Sequence, residues 1–209
     1  VTTTDSLGGT TDLYSASQPV ANVNDSPSGS VIITGTPTEG ETLVASNTLT
    51  DVDGLGEISY TWSNGATGPS YTLLQSDVGS SMTVTASYTD LQGTAESVTS
   101  AATAAVANVN DSPSGSVIIT GTPTEGETLV ASNTLTDVDG LGEISYTWSN
   151  GATGPSYTLL QSDVGSSMTV TASYTDLQGT AESVTSAATA AVANVDDAAT
   201  GTVSISGTV

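Results

Sequence analysis

Asp51 and Asp53 stand one residue apart ahead of Gly54 in the string Asp-Val-Asp-Gly, and the string returns at Asp137, Asp139 and Gly140. Each pair has further oxygen donors along the chain: Asn24 and Asp25 before the first, Asn110 and Asp111 before the second, Asp90 and Asp176 behind them. None of these acids has a basic partner, because the chain has no Lys, Arg or His against 22 Asp and Glu, for a formal net charge of −22. Such carboxylates are left with hydrogen-bond donors, water and external cations. A compact state with this much like charge repels itself unless cations offset it. Hard oxygen donors without His or Cys suit calcium, which takes six to eight oxygens in flexible geometry. Zinc wants His or Cys, and magnesium prefers sparser sites that keep their water. Ca2+ is therefore the expected cofactor.

Several other readings fall away on the same residues. Asp51-Val-Asp53-Gly54 opens like an EF-hand loop, but no third acid follows at the required place and the flanks read as strands. A chain without His, Lys or Cys has no ordinary general base or activated nucleophile, so no enzyme is expected. Nucleic-acid binding needs Lys or Arg to neutralise phosphate, and an anionic membrane surface needs the same basic groups. No stretch approaches the roughly 20 apolar residues of a membrane span. The expected partners are neighbouring repeats of the same chain, with no nucleic acid and no direct membrane contact.

The elements that carry these acids come in copies. Residues 21–106 recur without a mismatch as 107–192, an offset of 107 − 21 = 86 residues. Residues 193–209 (ANVDDAATGTVSISGTV) open a diverged copy. Residues 1–20 read as the end of a preceding one, with Asp5-Ser-Leu-Gly-Gly-Thr placed where Asp90-Leu-Gln-Gly-Thr stands later, at one residue of slippage. The expected organisation is two full domains, 21–106 and 107–192, between these partial copies. A unit this long fits a self-contained domain rather than one coil of a solenoid.

Within one copy, strand signals alternate with turns. They fall at Ser30–Thr34, Thr42–Leu49, Ile58–Trp62, Tyr71–Leu74, Met82–Tyr88 and Thr94–Val106. Met82, Val84, Ala86 and Tyr88 alternate with Thr83, Thr85 and Ser87, the period of a half-buried strand. About seven strands in under 90 residues, with Trp62 on the third, predict an all-β fold of tandem immunoglobulin-like or cadherin-like β-sandwich domains in a head-to-tail array.

The run GTPTEGETLVASNTLTDVDGLGEISYTW, followed by SYTLLQSDVGSSMTVTASYTDLQGTAESVTSAATAAVANVND, resembles the tandem extender repeats of giant bacterial repeats-in-toxin adhesins. The resemblance covers both full copies. It implies export by a type I system, a place outside the cell at a Gram-negative surface, a part in biofilm and adhesion, and calcium-rigidified domains that project a distal binding region.

Strand order places the acids. In such a sandwich the incoming linker, the B–C loop and the F–G loop share the N-terminal pole, while the A–B and E–F loops share the C-terminal pole. Asn24, Asp25, Asp51, Asp53 and Asp90 then gather at the first N-terminal pole, and Glu39, Glu41 and Asp77 at the first C-terminal pole. Asn110, Asp111, Asp137, Asp139 and Asp176 repeat the first set. Glu125, Glu127 and Asp163 repeat the second and face Asp196 and Asp197. Stacked head to tail, the middle joint is expected to hold Glu39, Glu41, Asp77, Asp111, Asp137, Asp139 and Asp176 with Asn108 and Asn110. The DxD loop and the Asn110-Asp111-Ser112-Pro113 linker resemble cadherin joints in geometry. Other assignments stand beside these: Asp77 as a corner cap, Glu39 as a turn residue, Glu57 and Glu96 as solvated strand residues.

The expected function is a calcium-rigidified spacer in a cell-surface adhesin. The alternatives are a glycan- or protein-binding β-sandwich module, for which the chain is poor in exposed aromatics, or a subunit of an extracellular filament that exchanges strands with neighbouring copies.

Overall fold

The computed structural model describes residues 1–12 and 14–207. Among these it is all-β, with no α-helix and so no helix able to cross a membrane. The strands are β1 (Thr2–Thr4), β2 (Thr10–Asp12), β3 (Val31–Thr34), β4 (Thr42–Asn47), β5 (Ser59–Trp62), β6 (Ser70–Thr72), β7 (Val84–Thr89), β8 (Ala95–Thr99), β9 (Val117–Thr120), β10 (Thr128–Asn133), β11 (Ser145–Trp148), β12 (Ser156–Thr158), β13 (Val170–Thr175) and β14 (Ala181–Thr185). Short 3-10 turns lie at Gln75–Asp77 and Gln161–Asp163. The chain forms two compact units: Val1–Leu73 with Ser80–Val106, and Leu74–Gly79 with Ala107–Val209.

In the second unit two antiparallel three-stranded sheets, in the orders β9-β10-β12 and β11-β13-β14, form a sandwich. Strand β13 shows why. Val170, Ala172 and Tyr174 are buried on one face while Thr171, Ser173 and Thr175 turn outward, so the period-two pattern read in the sequence becomes a core face and a solvent face. These side chains meet Leu129, Ala131, Leu135, Trp148, Leu159 and Met168 from the other elements. Trp148 is 2% exposed, and its one polar atom, the indole N–H, donates to the Gly154 carbonyl at 3.0 Å. Its ring lies against Tyr157 at a centroid distance of 6.1 Å. Removing such a ring costs about 3–5 kcal/mol in transfer and cavity energy.

The first unit holds the same design in sheets β3-β4-β6 and β5-β7-β8. Its core is Val31, Leu43, Ala45, Leu49, Trp62, Leu73, Met82, Val84, Ala86, Tyr88 and Val106.

Two expectations are corrected. The long last strand, read as Thr94–Val106, ends its regular ladder at Thr99. Beyond it the pairing slips twice, through Ser100 N–H to Val84 O, Thr103 N–H to Met82 O and Val106 N–H to Ser80 O. Each slip adds one residue to the outer strand, which is a β-bulge. The hydroxyls make it possible: Ser100 Oγ accepts the Val84 N–H at 3.1 Å and Thr103 Oγ1 accepts the Met82 N–H at 3.0 Å.

The slippage expected at the start of the chain is also absent. Asp5 N–H donates to Gly9 O and Gly8 N–H to Asp5 O, as Asp90 N–H does to Thr94 O and Gly93 N–H to Asp90 O. Asp5 Oδ1 takes the N–H groups of Leu7 and Gly9, as Asp90 Oδ1 takes those of Gln92 and Thr94. The β1–β2 hairpin thus follows the β7–β8 turn residue for residue.

Candidate metal centre

The second unit gives the fullest view of the acidic pole. Strand β10 ends at Asn133, and the loop to β11 carries Asp137 and Asp139. This loop lies close against the end of β13, for a Cβ on Gly142 would sit 2.0 Å from the Thr175 carbonyl. No residue but glycine fits there, and the approach brings the Asp137–Asp139 loop beside Tyr174 and Asp176. Asp137 Oδ1 accepts the Asp139 N–H at 2.9 Å and its Oδ2 accepts the Tyr174 hydroxyl at 2.5 Å. Asp139, 2% exposed, accepts the Asp111 N–H on Oδ2 at 2.7 Å and the Gln75 side-chain amide on Oδ1 at 3.0 Å. Gln75 belongs to the 3-10 turn that packs into this unit. A carboxylate oxygen of Asp111 lies within 4.8 Å of one of Asp139. Two oxygens that each lie 2.3–2.6 Å from one calcium are at most about 5 Å apart, so this pair is within the reach of a single ion.

Asp176 carries a further buried carboxylate in this unit. Its Oδ1 accepts the N–H groups of Gln178 at 2.9 Å and Thr180 at 2.7 Å, which pins the F–G turn. Its Oδ2 is buried with no hydrogen-bond partner, as are Asn108 Oδ1 and Gln75 Oε1 in the same unit. An unpaired buried acceptor costs about 1–3 kcal/mol, and more when it is charged. All three orphans are oxygens, in a chain that offers no cationic side chain to meet them. Each orphan calls for a donor or a cation, and hard carboxylate and amide oxygens are the donor type that calcium takes.

The first unit repeats the pole. Asp51 Oδ1 accepts the Asp53 N–H at 2.9 Å and Oδ2 the Tyr88 hydroxyl at 2.5 Å. Asp53 Oδ2 accepts the Asp25 N–H at 2.8 Å, and Asp90 Oδ2 is buried without a partner, as in Asp176. Burial first, then the hydrogen bond to the adjoining aspartate, pushes the phenols of Tyr88 and Tyr174 well above the ordinary tyrosine value.

The linker asparagines do something unforeseen. Asn24 Nδ2 donates to Glu96 Oε1 at 2.7 Å, and Asn110 Nδ2 to Glu182 Oε1 at 2.8 Å. Each ties its linker to strand β8 or β14 of its own unit, so Glu96 and Glu182 are more than solvated strand residues.

The remaining glutamates lie on the turns that precede β4 and β10. Glu39 is half-buried and Glu41 exposed on the turn between β3 and β4, and Glu125 and Glu127 are placed alike before β10. Glu125 Oε2 accepts the Val195 N–H at 3.1 Å, and the Gln161 amide, with its nitrogen turned toward Glu125, donates to both carboxylate oxygens at 2.8 Å. The outgoing chain is also held by Ala193, whose N–H donates to Pro123 O and whose C=O accepts the Glu125 N–H, both at 2.9 Å. Asp196 and Asp197 are exposed.

Asp77 and Asp163 are buried at the two 3-10 turns. Asp77 Oδ2 accepts the Leu74 N–H at 3.0 Å. Asp163 accepts the Leu160 N–H and the Tyr157 hydroxyl on Oδ2, both at 2.9 Å, and the Asn150 amide on Oδ1 at 3.1 Å. Burial pushes the Asp163 carboxyl up, but the Leu160, Asn150 and Tyr157 donors outweigh it and hold it below the usual aspartate value. This carboxylate caps the corner.

No protein-family model matches the chain. No curated protein matches it either. Among solved structures it is similar to the crystal structure of a tetra-tandem repeat in the extending region of a large adhesion protein, at 18% identity and a TM-score of 0.32 over 90% of this chain. The chain spans 54% of the length of that structure.

Sequence reasoning missed Gln75, Tyr174 and Glu182. Tyr174 carried a signal: it is the last inward position of β13, two residues before Asp176. Gln75 carried none, since a lone Gln before Ser-Asp is an ordinary turn residue.

Proposed function

We propose that the chain is a calcium-rigidified structural spacer of a bacterial cell-surface adhesin, outside the cell, whose repeats project a distal binding region and act on their own neighbours in the chain rather than on a substrate. The observation that carries the reading is the buried, unpaired Oδ2 of Asp90 and of Asp176 in a chain without one basic side chain. Two identical copies of 86 residues suit a part whose length matters more than the surface of any single copy. The linker acids Asp25 and Asp111, beside Asp53 and Asp139, would contribute oxygens to calcium at each N-terminal pole, with Asp90 and Asp176 supplying the free carboxylate oxygen. Bound calcium would remove the repulsion that otherwise loosens each linker against its own domain.

The test is thermal unfolding and small-angle scattering of the whole chain, in millimolar calcium and in excess chelator. A ligand that binds only the folded state adds about 2.7 kcal/mol at a hundredfold excess over its dissociation constant. The expected result is a clear rise in melting temperature and a narrower spread of maximum dimension with calcium. Superposable curves in both conditions overturn the reading.

A further inference from the structure

The chain has two Asn-Gly steps, Asn64-Gly65 and Asn150-Gly151, and they occupy the same place in the two copies. In an unstrained peptide this pairing is the most exposed to self-attack, because glycine offers no side chain to hinder its own nitrogen. The second step is held away from that reaction at both side-chain polar atoms of Asn150 and at the attacking nitrogen of Gly151. Asn150 Oδ1 accepts the Ala152 N–H at 3.1 Å, Asn150 Nδ2 donates to Asp163 Oδ1 at 3.1 Å, and the Gly151 N–H donates to Trp148 O at 2.8 Å. The turn closes further through Trp148 N–H to Ala152 O at 2.7 Å, with Gly151 at a φ of +87°.

We propose that Asn150 is a deamidation site that the folded domain keeps silent and that unfolding switches on. The Gly151 nitrogen attacks Asn150 Cγ, the Cγ–Nδ2 bond breaks, and ammonia leaves carrying the glycine amide proton. The resulting succinimide takes up water and opens to aspartate or isoaspartate. In the native turn the attacking N–H is engaged with Trp148 O and the Asn150 amide is pinned at both ends. The nitrogen reaches Cγ only after these bonds open together, so the rate follows the population of the opened turn.

The product does not fit the place the amide leaves. Asn150 is a donor to Asp163, which is 5% exposed. A carboxylate in its stead puts two negative charges in hydrogen-bond contact, where Asp163 keeps the Leu160 N–H and the Tyr157 hydroxyl as donors. Like charges at such a distance disfavour the ionised pair. The modification therefore marks any molecule that stayed unfolded and weakens the corner on which β12 turns toward β13.

The test uses the full chain with Asn64→Gln, because the two copies otherwise give identical peptides and the sites cannot be told apart by mass. The protein is aged in mildly alkaline buffer, folded and in urea, then digested at its acidic residues and mapped by mass spectrometry. The expected rate of the amide-to-acid change at Asn150 is at least about tenfold lower in the folded chain. Equal rates overturn the proposal. A second variant, Asn64→Gln with Asn150→Asp, mimics the product. It is expected to melt below Asn64→Gln alone at neutral pH, with the gap closing in acid as the carboxyls take up protons. Equal melting temperatures at neutral pH overturn the second half of the proposal.

Discussion

Tyr174 and Asp137 are joined by a 2.5 Å hydrogen bond between the buried end of β13 and the acidic loop after β10. The tyrosine is the last core residue of its strand and the aspartate the first acid of its loop, so one bond fastens the packed interior to the charged pole. Asp137 spends both oxygens on donors, one on Tyr174 and one on the Asp139 N–H. It orients Asp139 through that N–H.

Tyr174→Phe keeps the ring and removes this donor. A hydrogen bond to a charged group is worth about 1.5–3 kcal/mol, so the variant should lose stability of that order in urea titration. Calcium affinity, read by titration calorimetry, should fall with it because Asp139 is no longer held. A variant as stable as the parent would show that the loop keeps its shape without the tyrosine.

Asp176→Asn should change sign with calcium. The amide oxygen can still accept the Gln178 and Thr180 N–H groups, while the buried negative charge is gone. In chelator the variant should melt at or above the parent temperature. In calcium it should melt below, for want of a ligand. Melting curves that shift the same way in both buffers would take Asp176 out of the proposed calcium site.

Much of this was readable beforehand. The alternation of Met82, Val84, Ala86 and Tyr88 named the core face of β7, and Trp62 and Trp148 sit where the third-strand reading put them. What escaped was non-local or depended on one hydroxyl. The Asn110–Glu182 tie joins residues 72 positions apart, and no period in either segment announces it. The bulges after Thr99 rest on Ser100 and Thr103, whose side chains compete with the ladder for backbone donors. In an Ala- and Val-rich run they look like ordinary strand residues. The acids were found by type and by loop, yet their division into turn-holders such as Asp137 and Asp163 and bearers of a free oxygen such as Asp176 needed the hydrogen bonds themselves.

Asp163 sets part of the acid limit. Its folded pKa lies below the ordinary value of 3.8, so it adds stability above that value, and this is lost as pH falls through the folded pKa. Asp163→Asn should be less stable than the parent at neutral pH. Its stability should also fall less steeply on acidification, as followed by circular dichroism across an acid series. Parallel acid limbs in the two proteins would rule Asp163 out as a contributor.

Ser186→Ala tests the bulge in the second copy. Ser186 Oγ accepts the Val170 N–H at 3.1 Å and donates to Ala187 O at 2.9 Å in a buried position. Without it a buried N–H loses its partner, at about 1–3 kcal/mol. Hydrogen exchange should show faster exchange at Val170 while β11 keeps its protection. Unchanged exchange would mean that water or a shifted backbone replaces the hydroxyl.

The hold of Pro123 and Glu125 on Ala193 and Val195 means that the second domain is finished only by residues beyond position 192. Where the sequence starts to repeat and where the fold closes are out of phase by a few residues. A single copy cut at 107–192 would lose its last clasp, and one cut to run past Val195 would keep it. Phase ceases to matter when whole copies are gained or lost, because any window of 86 residues removed from perfect duplicates rejoins the same neighbours. Unequal recombination at any point within the copies would shorten or lengthen such a chain and leave every remaining clasp in place.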